Sequence, residues 1–303
     1  MAGAVPQYIL FENSALNSIS GQPQHGSQLG EGDRKLLVDV VRGAVAAGDT
    51  VAVVNIAALS EVAGLYFKDR ARFDLVRDFL FKDWEVRLLR PTFDAKVQPL
   101  RTKMEVLAKG KVPMAHALYS GVEWKHRRKI FLEGKRNDLD MLAKDSKARK
   151  DRFSAGQKTD REKAVEELAE AGQDWSAEFA GWEGDPKVVV DEWTQFEMNR
   201  NRRFLGLPAD RSRWPAPRDF VSLWFARGYV TARLRDIFGE GRKATDGGDL
   251  FDNIYFEDAA YCDVFVTGDQ TLARRGRSLR LSSPRILLTE EWVAELLRKH
   301  ASG

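Results

Sequence analysis

The chain opens with a short apolar run, Tyr8-Ile-Leu-Phe11, and a second stands at Val51-Ala-Val-Val54. Both have the length of buried strands. Between them, Gly21 to Gly32 is rich in Gly, Gln and Ser and predicts a loop. Asp33 then caps a helix running to about Ala47, which Gly48 ends. Another helix opens over Ala57 to Ala63. Strand–helix–strand–helix order implies a parallel sheet. The same pattern returns late in the chain. Val264–Thr267 and Ile286–Leu288 read as strands, Gln270–Arg274 as a short helix between them, and Thr289 as the start of a closing helix.

From about Leu65 to Gly184 the strand signals vanish and helical periodicity takes over, at Ala71–Leu89, Ala95–Ala108, Val122–Phe153 and Thr159–Ala171. The last of these begins with a capping box, Thr159-x-x-Glu162. Helices near Val188–Arg202 and Asp219–Phe238 lead back to the strands. The expected organisation is one α/β core made of residues 1–64 and 185–303, interrupted by a helical insertion, 65–184. Its expected architecture is a three-layer, Rossmann-like parallel sheet flanked by helices.

Composition narrows the functional classes. With 303 residues there is room for a real core, and 48 Lys+Arg against 45 Asp+Glu leave a net charge of +3. Nucleic-acid affinity would therefore need a local patch. One cysteine excludes a disulfide framework and suits a reducing compartment. No apolar run approaches the roughly eighteen residues of a membrane span, and the first residues lack signal-peptide character. A cytoplasmic protein without a membrane partner is the expectation. "GAVAAGDT" approaches a phosphate-binding loop, but Asp49 stands where the lysine must be, so it reads as a helix end. His25, His116, His126 and His300 are scattered without zinc spacing, and Cys262 reads as a small core residue.

The candidate chemistry lies in the acids. Asp249-Leu-Phe-Asp252 stands at a helix start, Asp263 at a helix–strand junction, and Asp269 just past a strand end. Parallel sheets bind ligands outside the carboxyl ends of their strands. Carboxylates converging there repel unless a cation joins them, and hard divalent ions take such oxygen ligands. Singly, Asp249, Asp252 and Asp269 read equally as helix N-caps, and Asp263 as a turn residue. One metal site would account for all of them together.

The opening "ILFENSAL" and the late "GDLFDNIYFEDAAYCDVFVTGD" together resemble the PIN-domain nucleases. That family's first strand usually runs into Asp-Thr-Asn or Asp-Thr-Ser. Its late block pairs an aspartate at a helix start with an Ala-Asp-x-x-Val-Thr-x-Asp run. Glu12 here replaces the opening aspartate. The resemblance covers roughly residues 7–65 and 245–290 and implies hydrolysis of phosphodiester bonds, most simply in RNA, with Mg²⁺ or Mn²⁺. DNA is the alternative substrate, an inhibitor protein or a second copy of the chain an alternative partner, and binding without cleavage an alternative function. It implies Glu12, Asp252 and Asp269 as metal ligands, with Asp263 completing the set. It also implies a glutamate early in the helix after the second strand, a position that Glu61 fills better than Glu192 or Glu197. Asn13, Ser14, Thr267 and Asp249 would support these groups. Haloacid-dehalogenase chemistry would need Asp-x-Asp after the first strand, and the chain has Glu-Asn-Ser.

Trp124 to Arg152 carries eleven Lys/Arg against five acids. It reads either as a phosphate-tracking surface, with Lys125, Arg127, Arg128 and Lys129 the strongest piece, or as a solvated helix laced with i,i+4 ion pairs. Trp175, Trp182, Trp193, Trp214 and Trp224 read as packing residues before base-stacking ones.

Overall fold

The computed structural model describes residues 6–20, 31–90, 103, 105, 114–170, 186–203, 205–239, 248–280 and 283–301. Five strands form one all-parallel sheet: β1 (Gln7–Phe11), β2 (Thr50–Val54), β3 (Arg87–Leu88), β4 (Val264–Thr267) and β5 (Arg285–Leu288). Their spatial order is β3-β2-β1-β4-β5. The chain builds outward from β1 to β3, then returns to the other side of β1. The order reverses between β1 and β4, and in open parallel sheets the carboxyl ends at such a reversal are where a ligand crevice forms. All of β4 and the last three residues of β1 are buried, as central parallel strands covered on both faces must be.

The helices are α1 (Asn13–Ile19), α2 (Glu31–Ala46), α3 (Ile56–Lys68), α4 (Arg70–Asp78), α5 (Met114–Ala117), α6 (Gly121–Leu132), α7 (Arg136–Glu170), α8 (Pro186–Arg200), α9 (Val221–Gly239), α10 (Gly248–Ala259), α11 (Gln270–Ser278) and α12 (Thr289–Ala301). They flank the sheet in two groups. In one, α2 packs on β2 and α12; in the other, α3 meets α4, α7 and α10, and α9 meets α8, α10 and α11. Phe11 of β1 contacts Trp84 at 4.8 Å and Trp292 of α12 at 5.0 Å, ring centre to ring centre. Burying each such side chain stabilises the fold by roughly 2 kcal/mol. Among the described residues no helix is long and apolar enough to cross a membrane.

Several boundaries differ from the expected ones. The helix expected over Ala71–Leu89 stops at Asp78, passes through a π turn at Phe79–Asp83, and gives way to β3. Glu85 at φ 45° breaks the helix there. β3 has only two residues, too few to show a strand period, so it was invisible to patterning. Because β3 pairs with β2, the sheet extends into the stretch 65–184 that was expected to be all insertion. The helix expected over Val122–Phe153 is broken at Gly134, whose φ of +59° suits glycine. Beyond it α7 is one helix through Glu170, so Thr159 lies inside a helix and starts none. α2 begins at Glu31, which puts Asp33 within it, and Gly48 follows its end at φ +77°. Of the expected helix Ala95–Ala108 only Lys103 and Glu105 are described, both helical, and most of the Gly21–Gly32 loop, Trp175 and Trp182 lie outside the described residues.

Candidate active site

Glu12 is the first residue past β1, at the reversal point. Its backbone N–H donates to the Val266 carbonyl at 3.0 Å, the last rung joining β1 to β4. Its side chain turns back as the N-cap of α1. Oε2 accepts from the Ser14 amide at 2.9 Å, from the Thr267 hydroxyl at 3.0 Å, and from the Ser14 hydroxyl. Among the described residues no hydrogen bond goes to Oε1. One oxygen anchors the group and the other takes no part in the anchoring. Glu12 is 8 % exposed. Burial pushes its carboxyl up to about 7, the nearby Glu61 charge adds to the rise, and the Ser14 and Thr267 donors oppose it.

The turn after β4 closes tightly on this group. The Gly268 amide donates to Ser14 Oγ at 2.8 Å, and a Cβ at Gly268 would stand 3.1 Å from the Ser14 backbone carbonyl. Only glycine lets the two chain segments approach this closely without displacement.

Glu61 comes from the second turn of α3. Asn55 caps that helix, its Oδ1 accepting from the Ala58 amide at 3.0 Å. Ala57, Ala58, Val62 and Ala63 are buried, which leaves Glu61 half-buried at the edge of the packed face. Its Oε1 accepts from Lys150 Nζ of α7 at 3.0 Å. Burial raises the Glu61 carboxyl, and Lys150 pulls it back down. Tyr255 of α10 completes the wall. Its hydroxyl is buried close to Glu61 and the Asn13 backbone without reaching a regular hydrogen bond. Burial and the charges of Glu61, Glu12 and Asp252 push its phenol well above the usual tyrosine range. Asn13 Oδ1 is likewise buried without a partner among the described residues.

Asp252 sits one turn before Tyr255 on α10. It accepts from the Tyr229 hydroxyl at 2.9 Å, which in turn accepts from Arg275 at 2.9 Å. α10 begins at Gly248, so Asp252 lies inside the helix and is not its N-cap. Asp249 lies in the first turn of α10, and its side chain is outside the described residues.

The remaining expected acids behave differently. Asp269 stands at the carboxyl end of β4, but its Oδ1 accepts from the amides of Thr271 and Leu272 at 2.7 and 3.0 Å, capping α11. Asp263 was expected to complete the pocket, and the structure puts it at the opposite end of the sheet. It precedes β4, and its Oδ2 accepts from the Tyr8 amide at 2.8 Å. Four strand residues, about 13 Å, separate that level from Glu12. Thr267 orients Glu12 as described and also accepts from the Asp269 amide at 3.0 Å. Glu192 and Glu197 lie on α8, and Glu197 is tied to Arg227 at 2.8 Å. The structure thus gathers Glu12, Glu61 and Asp252 around Tyr255. Among the described residues no three His, Cys, Asp or Glu side chains stand close enough to hold an ion on their own.

The basic segment divides in favour of the solvated-helix reading. Arg127 stacks over Tyr119 at 4.8 Å, Arg128 donates to the Phe81 carbonyl, and Lys129 pairs with Glu133 at 3.4 Å. On α7, Lys144 pairs with Asp140 at 2.6 Å and Arg149 with Asp145 at 2.8 Å. Only Lys125 of the expected phosphate contacts is exposed without such a partner. Trp224 is buried and donates to Asp191 at 2.6 Å, and Trp214 donates to the Pro208 carbonyl at 2.9 Å, as packing residues do.

Sequence reasoning missed Lys150 and Tyr255. Tyr255 was signalled by its place one turn after Asp252. Lys150 was signalled by what surrounds it: positions 146, 147, 153 and 154 are Ser, Lys, Phe and Ser. It has no acid at helical spacing on its own helix, so its charge is directed elsewhere. Compared with known proteins, the chain matches no family model, and neither a curated protein nor a solved structure gives a significant match.

Proposed function

We propose that the chain is a PIN-like, divalent-metal-dependent phosphodiesterase, acting most simply as an endoribonuclease. The observation that carries this reading is the buried approach of Glu12 and Glu61 at the reversal point of the sheet, where parallel sheets bind ligands. The charge of Glu61 raises the Glu12 carboxyl, so each of the two groups opposes ionisation of the other. The chain therefore holds an unfavourable charge arrangement in a crevice, which is common at functional sites.

The residues suit Mg²⁺ or Mn²⁺. The donors are all oxygens: among the described residues Glu12 Oε1 carries no hydrogen bond, Asn13 Oδ1 is buried without a partner, and Glu61 and Asp252 flank the same tyrosine. Such an ion supplies Lewis acidity that activates water and offsets charge on the phosphate. The protein's own groups do the rest. Ser14 and Thr267 fix the rotamer of Glu12, and Gly268 keeps the β4 turn against it. Tyr255 is buried within the electrostatic reach of both glutamates.

A second reading is a protein of this fold that binds RNA or a protein partner without cutting. It is favoured by one observation, the commitment of Asp269 Oδ1 to the α11 cap. The deciding experiment is cleavage of a mixed single-stranded RNA, with a DNA of the same sequence alongside. Cleavage that needs Mg²⁺ or Mn²⁺ and stops with EDTA is expected. Undiminished cleavage in EDTA would remove the metal, and RNA binding without cleavage under any ion would leave the second reading.

A further inference from the structure

The acidic crevice already contains a cation of the protein's own. Lys150 reaches from α7 across to α3, and its Nζ lies 3.0 Å from Glu61 Oε1 and 4.1 Å from the centre of the Phe251 ring. The ammonium is thus gripped by a carboxylate on one side and an aromatic face on the other, a combination worth more than either alone once water is excluded. The two side chains keep 28 % and 23 % of their surface exposed, so the pair stays within reach of a ligand entering the crevice. A bland alternative is an ion pair that only docks α7 on α3. Two observations weigh against it. The other α7 cations described above spend their charge on acids of the same helix, which is the cheap arrangement, whereas Lys150 is set among residues that offer none. The pair also lies against the buried hydroxyl of Tyr255, 1 % exposed as a residue, which makes no regular hydrogen bond among the described residues and stands among the carboxylates of Glu61, Glu12 and Asp252.

We propose that Lys150 is a tethered cation of the active site, holding a cation position at Glu61 that a divalent ion would otherwise take and presenting its positive charge to the phosphate. This rests on the metal-dependent reading of the same crevice and deepens it. Glu12 and Glu61 carry two negative charges when ionised, and Lys150 offsets one of them without any ion. The consequence is a site that requires fewer exogenous cations than its carboxylates suggest, with the helical insertion as the supplier of the missing charge. It gives the long helix α7 a role in the chemistry of the sheet on which it packs.

The test follows Mn²⁺ binding by calorimetry and by the ion-induced rise in melting temperature, with RNA cleavage measured in parallel. The full chain is compared with Lys150→Met, Lys150→Arg, the double variant Glu61→Gln/Lys150→Met, and Lys144→Met as an exposed control. Lys150→Met is expected to bind Mn²⁺ roughly tenfold or more tightly, because a like charge a few ångströms from the ion is removed. Its cleavage at saturating Mn²⁺ should fall by about tenfold or more. Lys150→Arg and Lys144→Met should keep the wild-type Mn²⁺ affinity, and the double variant should lose the gain. If Lys150→Met is folded only when Mn²⁺ is present, that also supports the proposal. Unchanged Mn²⁺ affinity, or a variant unfolded with and without the ion, would reduce Lys150 to a docking contact. Cleavage by wild type with unchanged Mn²⁺ affinity in Lys150→Met would overturn the tethered cation alone. Tighter Mn²⁺ binding with no cleavage by any variant would overturn the nuclease reading alone.

Discussion

The Thr267 hydroxyl donates to Glu12 Oε2 at 3.0 Å, joining two side chains 255 positions apart in the chain. It ties the ends of the two central strands together across the reversal point. Thr267→Val keeps the shape of the side chain and removes the donor. A donor to the charged form lowers a carboxyl's proton affinity, so the Glu12 midpoint should climb above about 7 in this variant. Carboxyl-detected NMR titration would read the change. Stability should drop by about 1 kcal/mol at alkaline pH, where the bond is made to a carboxylate. A midpoint that stays in place would mean that Ser14 alone anchors the group.

The raised carboxyl of Glu12 also sets a pH dependence. Its ordinary value is 4.5 and its folded value about 7, so between these limits the native state holds a proton that the unfolded chain has released. Stability therefore falls as pH rises from 4.5 through 7 and levels off above. The shift corresponds to a loss of about 3 kcal/mol. Glu12→Gln should flatten this part of the profile, and saturating Mg²⁺ should restore wild-type stability at pH 8 by binding the native state. Urea unfolding at pH 5 and pH 8, with and without Mg²⁺, checks each point. Equal wild-type stability at both pH values would contradict the buried carboxylate.

Asp252 and Asp269 now separate. Asp252→Asn should abolish cleavage and reduce the Mg²⁺-induced rise in melting temperature, with the helix unaffected because the residue caps nothing. Asp269→Ala should cost about 1 kcal/mol through loss of the α11 cap, while Asp269→Asn should be near wild type in stability. If Asp269→Asn loses more activity than Asp252→Asn, the second oxygen of Asp269 works in catalysis despite the cap.

Among the glutamates, Glu61→Gln should lower turnover by at least about a hundredfold, the scale of a lost acid–base or metal-holding group. Glu192→Gln and Glu197→Gln should leave turnover nearly unchanged. Single-turnover kinetics on RNA would rank them.

For the basic segment, Arg128→Ala should lower the melting temperature, since its guanidinium is bonded to the Phe81 carbonyl. Lys125→Ala should leave stability alone. If this helix tracked phosphates, removing Lys125 and Lys129 together would lower the salt slope of RNA binding by roughly 0.7 per contact. The ion pairing described above argues for an unchanged slope.

Four of the five strands were legible because each contains a run of at least three apolar residues bounded by polar ones or turn signals. β3 was hidden because two residues cannot display a period. Glu12 and Glu61 were legible from their strand–helix junctions, where the direction of a parallel sheet fixes which end they occupy. That rule also speaks against Asp263: a residue before a strand lies at the amino end, so its acid character was overweighted against its position. Asp269 could not be resolved, because an N-cap aspartate and a ligand aspartate share the same spacing. Lys150 was out of reach of patterning for another reason. Its partner lies 89 residues away, and only the break at Gly134 turns α7 back along α3.

On the metal-dependent reading proposed above, the close approach at Gly268 would set the ionic radius that the crevice accepts. A methyl group at that position would displace the Ser14 carbonyl by a few tenths of an ångström, and Glu12 hangs from the same turn. Mg²⁺ requires oxygen distances of about 2.0–2.1 Å, whereas Ca²⁺ accepts about 2.3–2.6 Å and irregular geometry. The difference between the two ions is of the same order as the displacement the methyl group would cause. A single missing side chain at the end of β4 would then calibrate the crevice, and Gly268→Ala is expected to shift its preference from the smaller ion toward the larger.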